Sequence, residues 1–261
     1  VLNRQAQNRG DAGFSNRGRN RPAGQREIVG VIRIPAPLIS LVALALAGGC
    51  SPAAGARPVV VELFQSQGCS SCPPADANLA RIADRPDVIA LSFAVTYWDG
   101  QGWKDTFAQP AFTARQWAYA HAFHRANVFT PEVVGDGARD GVGVDPAEFA
   151  RLVGHGAPAG GPTLALAPDH VAIGAGPAPA AGADVWMVRF DPRVIQVPIT
   201  GGENDGRTLP HKDIVRELVR LGGWRGAAET LPLPAPKLPG LATAILVQSP
   251  QGGIILAATK S

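Results

Sequence analysis

The sequence predicts an α/β domain, a mixed sheet flanked by helices, followed by a β-rich antiparallel C-terminal domain. Three observations carry this. A β-branched run, Pro58–Phe64, leads through a polar loop into Cys69-Ser70-Ser71-Cys72 and then into a helix opened by proline. Strand-like and helix-like periods alternate from there to Val134. Beyond residue 158 the chain breaks into short apolar runs separated by Gly- and Pro-containing turns.

The N-terminal segment is read separately. Of 261 residues, 46% are hydrophobic and 17% charged, enough apolar content for a buried core. Three cysteines are too few for a disulfide-stapled scaffold or a four-cysteine zinc site. The formal net charge of +3 is unevenly placed: residues 1–33 hold seven Arg against Asp11 and Glu27, so the remainder is slightly acidic. A nucleic-acid partner is therefore not expected, because the basic charge sits off the folded part. Residues 1–28 read as a disordered basic arm and 29–56 as a secretory or lipoprotein signal. Leu38–Ala47 is an apolar h-region following Arg26 and Arg33. Ala54-Gly55-Ala56 suits signal-peptidase cleavage, whereas Ala47-Gly48-Gly49-Cys50 resembles a lipobox with Cys50 as the acylated residue, a membrane tether. Both exits imply a periplasmic or secreted protein in an oxidising compartment.

Residues 57–157 carry the first domain. A buried strand, a Gly-containing loop, Cys-x-x-Cys and a Pro-initiated helix form a thioredoxin-like arrangement. Thiolate is the attacking species, and the unpaired N–H groups at a helix start favour it. Cys69, outermost in the turn, is expected to be the exposed nucleophile, and Cys72 the buried resolving thiol. A plain structural disulfide is the competing reading. Asp87–Val95 reads as a second buried strand and Ala111–Ala126 as a helix. Pro131, preceded by Thr130 at the entry to the next strand, is expected to be cis and to present the Thr130 backbone to a substrate strand. Glu62, seven residues before Cys69, is expected beneath Cys72 as a buried acid that manages its proton. Trp98, Asp99 and Trp103 are expected to rim the dithiol as a substrate-binding loop.

Several of these segments resemble a known family. Glu62–Asp76, Tyr97-Trp98-Asp99 with Gly102-Trp103 and Asp105, Arg115-Gln116 with Tyr119, Thr130–Val134, and Gly202–Leu209 match, in that order, the bacterial family called domain of unknown function 1223. The likeness runs from about Val59 to the C-terminus. The resemblance implies an exported, thioredoxin-like protein and assigns no settled reaction.

The C-terminal domain, 158–261, offers strands at Thr163–Ala167, Val171–Ile173, Val185–Phe190 and Val194–Thr200. A hairpin of strands Ala242–Gln248 and Gly253–Ala258 is expected about Ser249-Pro250-Gln251-Gly252. His211–Leu221 fits a helix or a strand. Glu203, Asn204 and Asp205 lack the remaining pattern of a calcium loop and read as turn chemistry. His121 and His124 have metal-compatible spacing but read as a solvated helix face. No cofactor is expected. The leading expectation is a thiol–disulfide oxidoreductase acting on protein or small thiol substrates. The alternatives are a non-catalytic binding or assembly module with a structural disulfide and, third, a metal-handling protein.

Overall fold

The computed structural model describes residues 57–154 and 160–261. The predicted arm, the signal segment, Cys50 and the junction at 155–159 lie outside the described residues. None of the described helices is long and apolar enough to cross a membrane.

The chain runs β1 (Val59–Gln65), α1 (Pro73–Ile82), β2 (Val88–Ala94), α2 (Pro110–Ala122), β3 (Glu132–Gly135), β4 (Arg139–Gly141) and α3 (Pro146–Val153). Strand β1 is parallel to β2 and antiparallel to β3, which pairs antiparallel with β4. Every residue of β1 and β2 is buried, because helices cover both faces of the sheet. Alternation along β1 sorts its side chains. Val61 and Leu63 pack with Ala75 and Leu79 of α1 and Phe149 of α3. Val60 and Phe64 pack with Phe112 and Tyr119 of α2 on the opposite face. Each of α1, α2 and α3 carries proline at its first turn, where no intrahelical N–H is lost. Helix α3 is capped by Asp145, whose Oδ1 accepts from Ala147 N (3.0 Å) and Glu148 N (2.9 Å). Gly135 is required by close approach: a Cβ there would lie 2.0 Å from the Leu152 carbonyl oxygen.

The second half continues with β5 (Leu164–Leu166), β6 (His170–Ile173), β7 (Ala183–Asp191), β8 (Ile195–Pro198) and β9 (Thr208–His211). After these come β10 (Ile214–Trp224), β11 (Glu229–Pro232), β12 (Ala242–Gln248) and β13 (Ile255–Lys260). As expected it is β-rich, with largely antiparallel pairing. The ambiguous stretch is the long strand β10, set beside β7 with two register shifts. What the sequence did not indicate is that these strands extend the first sheet. The order β13-β12-β7-β10-β2-β1-β3-β4 is continuous, joined by parallel pairing of Ile214 with Ser92. Strands β11, β6 and β5 form a smaller sheet, and β8 and β9 an isolated two-stranded ribbon.

Candidate functional site

Cys69 and Cys72 form a disulfide with Cα atoms 5.5 Å apart, within the usual range. Cys72 is the N-cap of α1 in helical conformation, and its carbonyl accepts from Ala75 N and Asp76 N. The polar loop before it, Gln65-Ser66-Gln67, is entirely buried. Asp105 organises that loop from the side: its Oδ2 accepts from Gln67 N (2.7 Å) and its Oδ1 from Phe107 N (2.8 Å).

The exposure expected of Cys69 is corrected. Cys69 is 0% exposed and Cys72 1%. A turn from the second half, Gly201–Arg207, lies against the motif. The buried Asn204 amide donates through Nδ2 to Gln67 O (2.9 Å) and Cys69 O (3.0 Å). Glu203 Oε2 accepts from Ser70 N (3.1 Å) and Ser70 Oγ (2.7 Å). Those hydrogen bonds hold the Glu203 carboxyl below its ordinary range. The C-terminal half, chemically quiet in the sequence, therefore supplies two side chains to this site.

The aromatic loop borders the motif through specific bonds. Trp103 Nε1 donates to Gln67 Oε1 (2.9 Å), and Trp98 Nε1 donates to Thr130 Oγ1 (2.7 Å). Trp98 also packs beside Gly68, where an added Cβ would meet the Trp98 Cβ at 3.5 Å. Trp98 thus links Thr130 to the residue preceding Cys69, and the Thr130–Pro131 bond is cis. Asp99 serves the loop itself, accepting from Asp105 N (3.1 Å).

Glu62 is buried but does not lie beneath Cys72, a second correction. It shares the face of Val60 and Phe64, toward α2, whereas α1 covers the other face. There it accepts two hydrogen bonds from the Arg115 guanidinium and one from Tyr119 Oη. Burial works against the charge of Arg115, and the Glu62 carboxylate more than reverses this, leaving Arg115 more basic than a free arginine.

The acids on the dithiol side are Asp76 and Asp105, which the sequence reading did not single out. Asp76 follows Cys72 by four residues, so helical geometry sets it on the same face. Burial, and secondarily the charge of Asp105, pushes its carboxyl well above the ordinary range. Burial also raises Asp105. Asp76 lines a cavity of about 280 Å³ with Pro73, Arg207, Leu209 and Lys212. The i, i+4 spacing from Cys72 was the available signal. Glu132, next to Pro131, is buried and pushed up to about 7, chiefly by that burial. Helix α2 ends at Ala122, which leaves His124 beyond it in the left-handed region and separates it from the face of His121. Among the described residues no group of three His, Cys, Asp or Glu side chains converges as a metal site.

This geometry defines an α/β protein with a covered disulfide at a helix start, flanked by two acids. Residues 60–248 match the family described as protein of unknown function DUF1223, and the chain belongs to that family. No curated protein matches it. Among solved structures it is similar to the crystal structure of protein AGR_C_4864 from Agrobacterium tumefaciens. The identity is 32%, the match covers 80% of this chain and 95% of that one, and the TM-score is 0.65. It also shares a fold with HBP35 of Porphyromonas gingivalis, at 12% identity and a TM-score of 0.53, over 79% of this chain and 75% of that one.

Proposed function

We propose that the protein is an exported, thioredoxin-like thiol–disulfide oxidoreductase acting through Cys69 and Cys72. The observation that carries this reading is the Cys69–Cys72 disulfide at the start of α1, with a titratable acid one turn along. The thioredoxin-like assignment is supported by the order β-α-β-α-β-β-α about β1, with Thr130 and Pro131 entering β3. Export is supported by the apolar segment Leu38–Ala47 after Arg33. In the reduced protein, Cys69 thiolate attacks a substrate disulfide, forming a mixed disulfide and releasing one substrate thiolate. The Cys72 thiol passes its proton to the Asp76 carboxylate. The Cys72 thiolate then attacks the Cys69 sulfur, releasing the second substrate thiolate and restoring the protein disulfide. Two electrons pass from the dithiol to the substrate, and the reverse sequence oxidises a substrate dithiol.

A second reading, a purely structural disulfide, is favoured by the burial of both sulfurs. The two separate on a Cys72→Ser variant incubated with a disulfide-linked peptide. Exchange predicts a stable mixed disulfide at Cys69, seen by intact mass. A structural staple predicts an unmodified chain, and that result would overturn the proposal.

A further inference from the structure

We propose that the Gly201–Arg207 turn is an internal stand-in for a polypeptide substrate. It occupies the docking surface of a cysteine-bearing peptide and lifts away before Cys69 is reached. This inference rests on the exchange reading above and adds the substrate class and the control of access.

The groups that the turn engages on the cysteine loop are mostly main-chain groups. Gln67 O and Cys69 O accept from the Asn204 amide, and Ser70 N donates to the Glu203 carboxylate. Two acceptors and a donor along a short stretch of chain are what an extended peptide pairs with through its own N–H and C=O groups. Asn204 supplies amide N–H groups and Glu203 an acceptor oxygen, so together they reproduce the polar pattern of a peptide backbone. A small thiol lacking a backbone has no equivalent set of partners for this surface.

The turn is built to move as a unit. Its own bonds brace it: Asn204 Oδ1 accepts from Arg207 Nη1 (2.5 Å), Arg207 N donates to Asn204 O (3.1 Å), and Gly206 N donates to Ile199 O (3.0 Å). It is carried on the β8–β9 ribbon, which is hydrogen-bonded to neither of the other sheets. Displacing that ribbon therefore breaks no ladder of the main sheet. Its backbone approaches the aromatic loop closely, since a Cβ on Gly201 would fall 2.4 Å from Gly102 O. The small apolar cluster of Val197, Ile199 and Leu209 against Trp103 and Phe107 is the packing that lifting the turn must part. The Glu203–Ser70 contact is exposed and is the accessible end of the fastening.

The test measures reduction of the Cys69–Cys72 disulfide in wild type, Glu203→Ala and Gly201→Ala. Dithiothreitol, whose two thiols become a cyclic disulfide as the protein gains two thiols, is compared with a peptide bearing one cysteine, two molecules of which become one peptide disulfide in the same reduction. Glu203→Ala removes hydrogen bonds to a charged group and is expected to speed reduction by about tenfold. Gly201→Ala pushes the turn off Gly102 and should act in the same direction. The gain for the peptide should exceed the gain for dithiothreitol, because only the peptide uses the uncovered main-chain groups. Unchanged rates in both variants would overturn the latch, and equal gains for the two reductants would overturn the peptide assignment. Failure of the exchange reading is seen separately, as a released dithiol that transfers no electrons to a peptide disulfide while the latch rates still change.

Discussion

Replacing Arg115 tests both the packing and the separation of Glu62 from the dithiol. Arg115 donates to both Glu62 oxygens, to Tyr119 Oη (3.1 Å) and to Gln248 Oε1 (3.2 Å), with its side chain only 5% exposed. Its guanidinium also lies 5.3–5.7 Å from the ring centroids of Phe93, Tyr119 and Trp186. Arg115→Met leaves the Glu62 carboxylate buried with Tyr119 as its remaining partner. Removing one member of a buried pair costs about 3–5 kcal/mol. For a domain of this size each kcal/mol moves Tm by about 2–4 °C, so a fall of about 6–20 °C is expected. Urea unfolding should show a lower midpoint at unchanged slope. The double variant Glu62→Gln/Arg115→Met removes both charges and should recover part of the loss. A loss below about 1 kcal/mol in Arg115→Met would refute the buried-pair account. Glu62→Gln, whose side chain lies across the sheet from α1, should leave the pH dependence of Cys69 alkylation in the reduced protein unchanged. A shifted profile would return Glu62 to the chemistry.

Two further outcomes are expected. Burial pushes Glu132 up to about 7 from an ordinary 4.5, so the folded state binds its proton more tightly than the unfolded chain does. The stability it contributes is complete below about 4.5 and lost as pH rises through about 7, so Glu132→Gln should gain in Tm over wild type between about pH 5 and pH 8. Asp213, also raised to about 7 by burial, keeps part of the slope in the variant, and a pH-independent difference between the two proteins would refute the assignment. Asp76→Asn should slow release of substrate from the Cys69 mixed disulfide by about 10²-fold at neutral pH while leaving formation of that species unaffected. Equal slowing of both steps in quench-and-alkylate kinetics would show that Asp76 acts on the fold and not on Cys72.

The legible part of the fold was local. Pro58–Phe64, Asp87–Val95 and Ala242–Gln248 are apolar runs bounded by turn residues, and each is a strand close to its expected limits. Helix α3 has an equally local signal, since Asp145-Pro146 with Glu148 is a cap signature before Phe149, Leu152 and Val153. The position of Glu62 needed more than spacing along the chain. Which face of β1 receives α1 is settled by where the helices pack, and the alternation of side chains then sends Glu62 and Leu63 to opposite sides. His211–Leu221 shows the same dependence on context. Its apolar spacing suits a helix, but β7 offers a long ladder that a strand satisfies along its length.

The covered dithiol was illegible for a different reason. A Cys-x-x-Cys before a Pro-initiated helix states where the sulfurs sit on their own element, but says nothing about a segment some 130 residues away. Glu203 and Asn204 look like ordinary turn residues because, in sequence, a turn is all that surrounds them. Their role comes from the β8–β9 ribbon and the 97–105 loop approaching within contact of backbone, which needs glycine on both sides. Gly102 and Gly202 have positive φ, and a Cβ on Gly102 would come 3.3 Å from Gly202 N. The polar bonds across this contact then join the cysteine loop to two segments at once, Gln67 to Trp103 and Asp105, and Ser70 and Cys69 to Glu203 and Asn204. The cysteine loop is held from both sides, and in the proposed latch access to Cys69 depends on the hold carried by the β8–β9 ribbon, which pairs with no other described strand. On that proposal the second half of the chain controls the reactivity of this disulfide as much as the helix that bears it does.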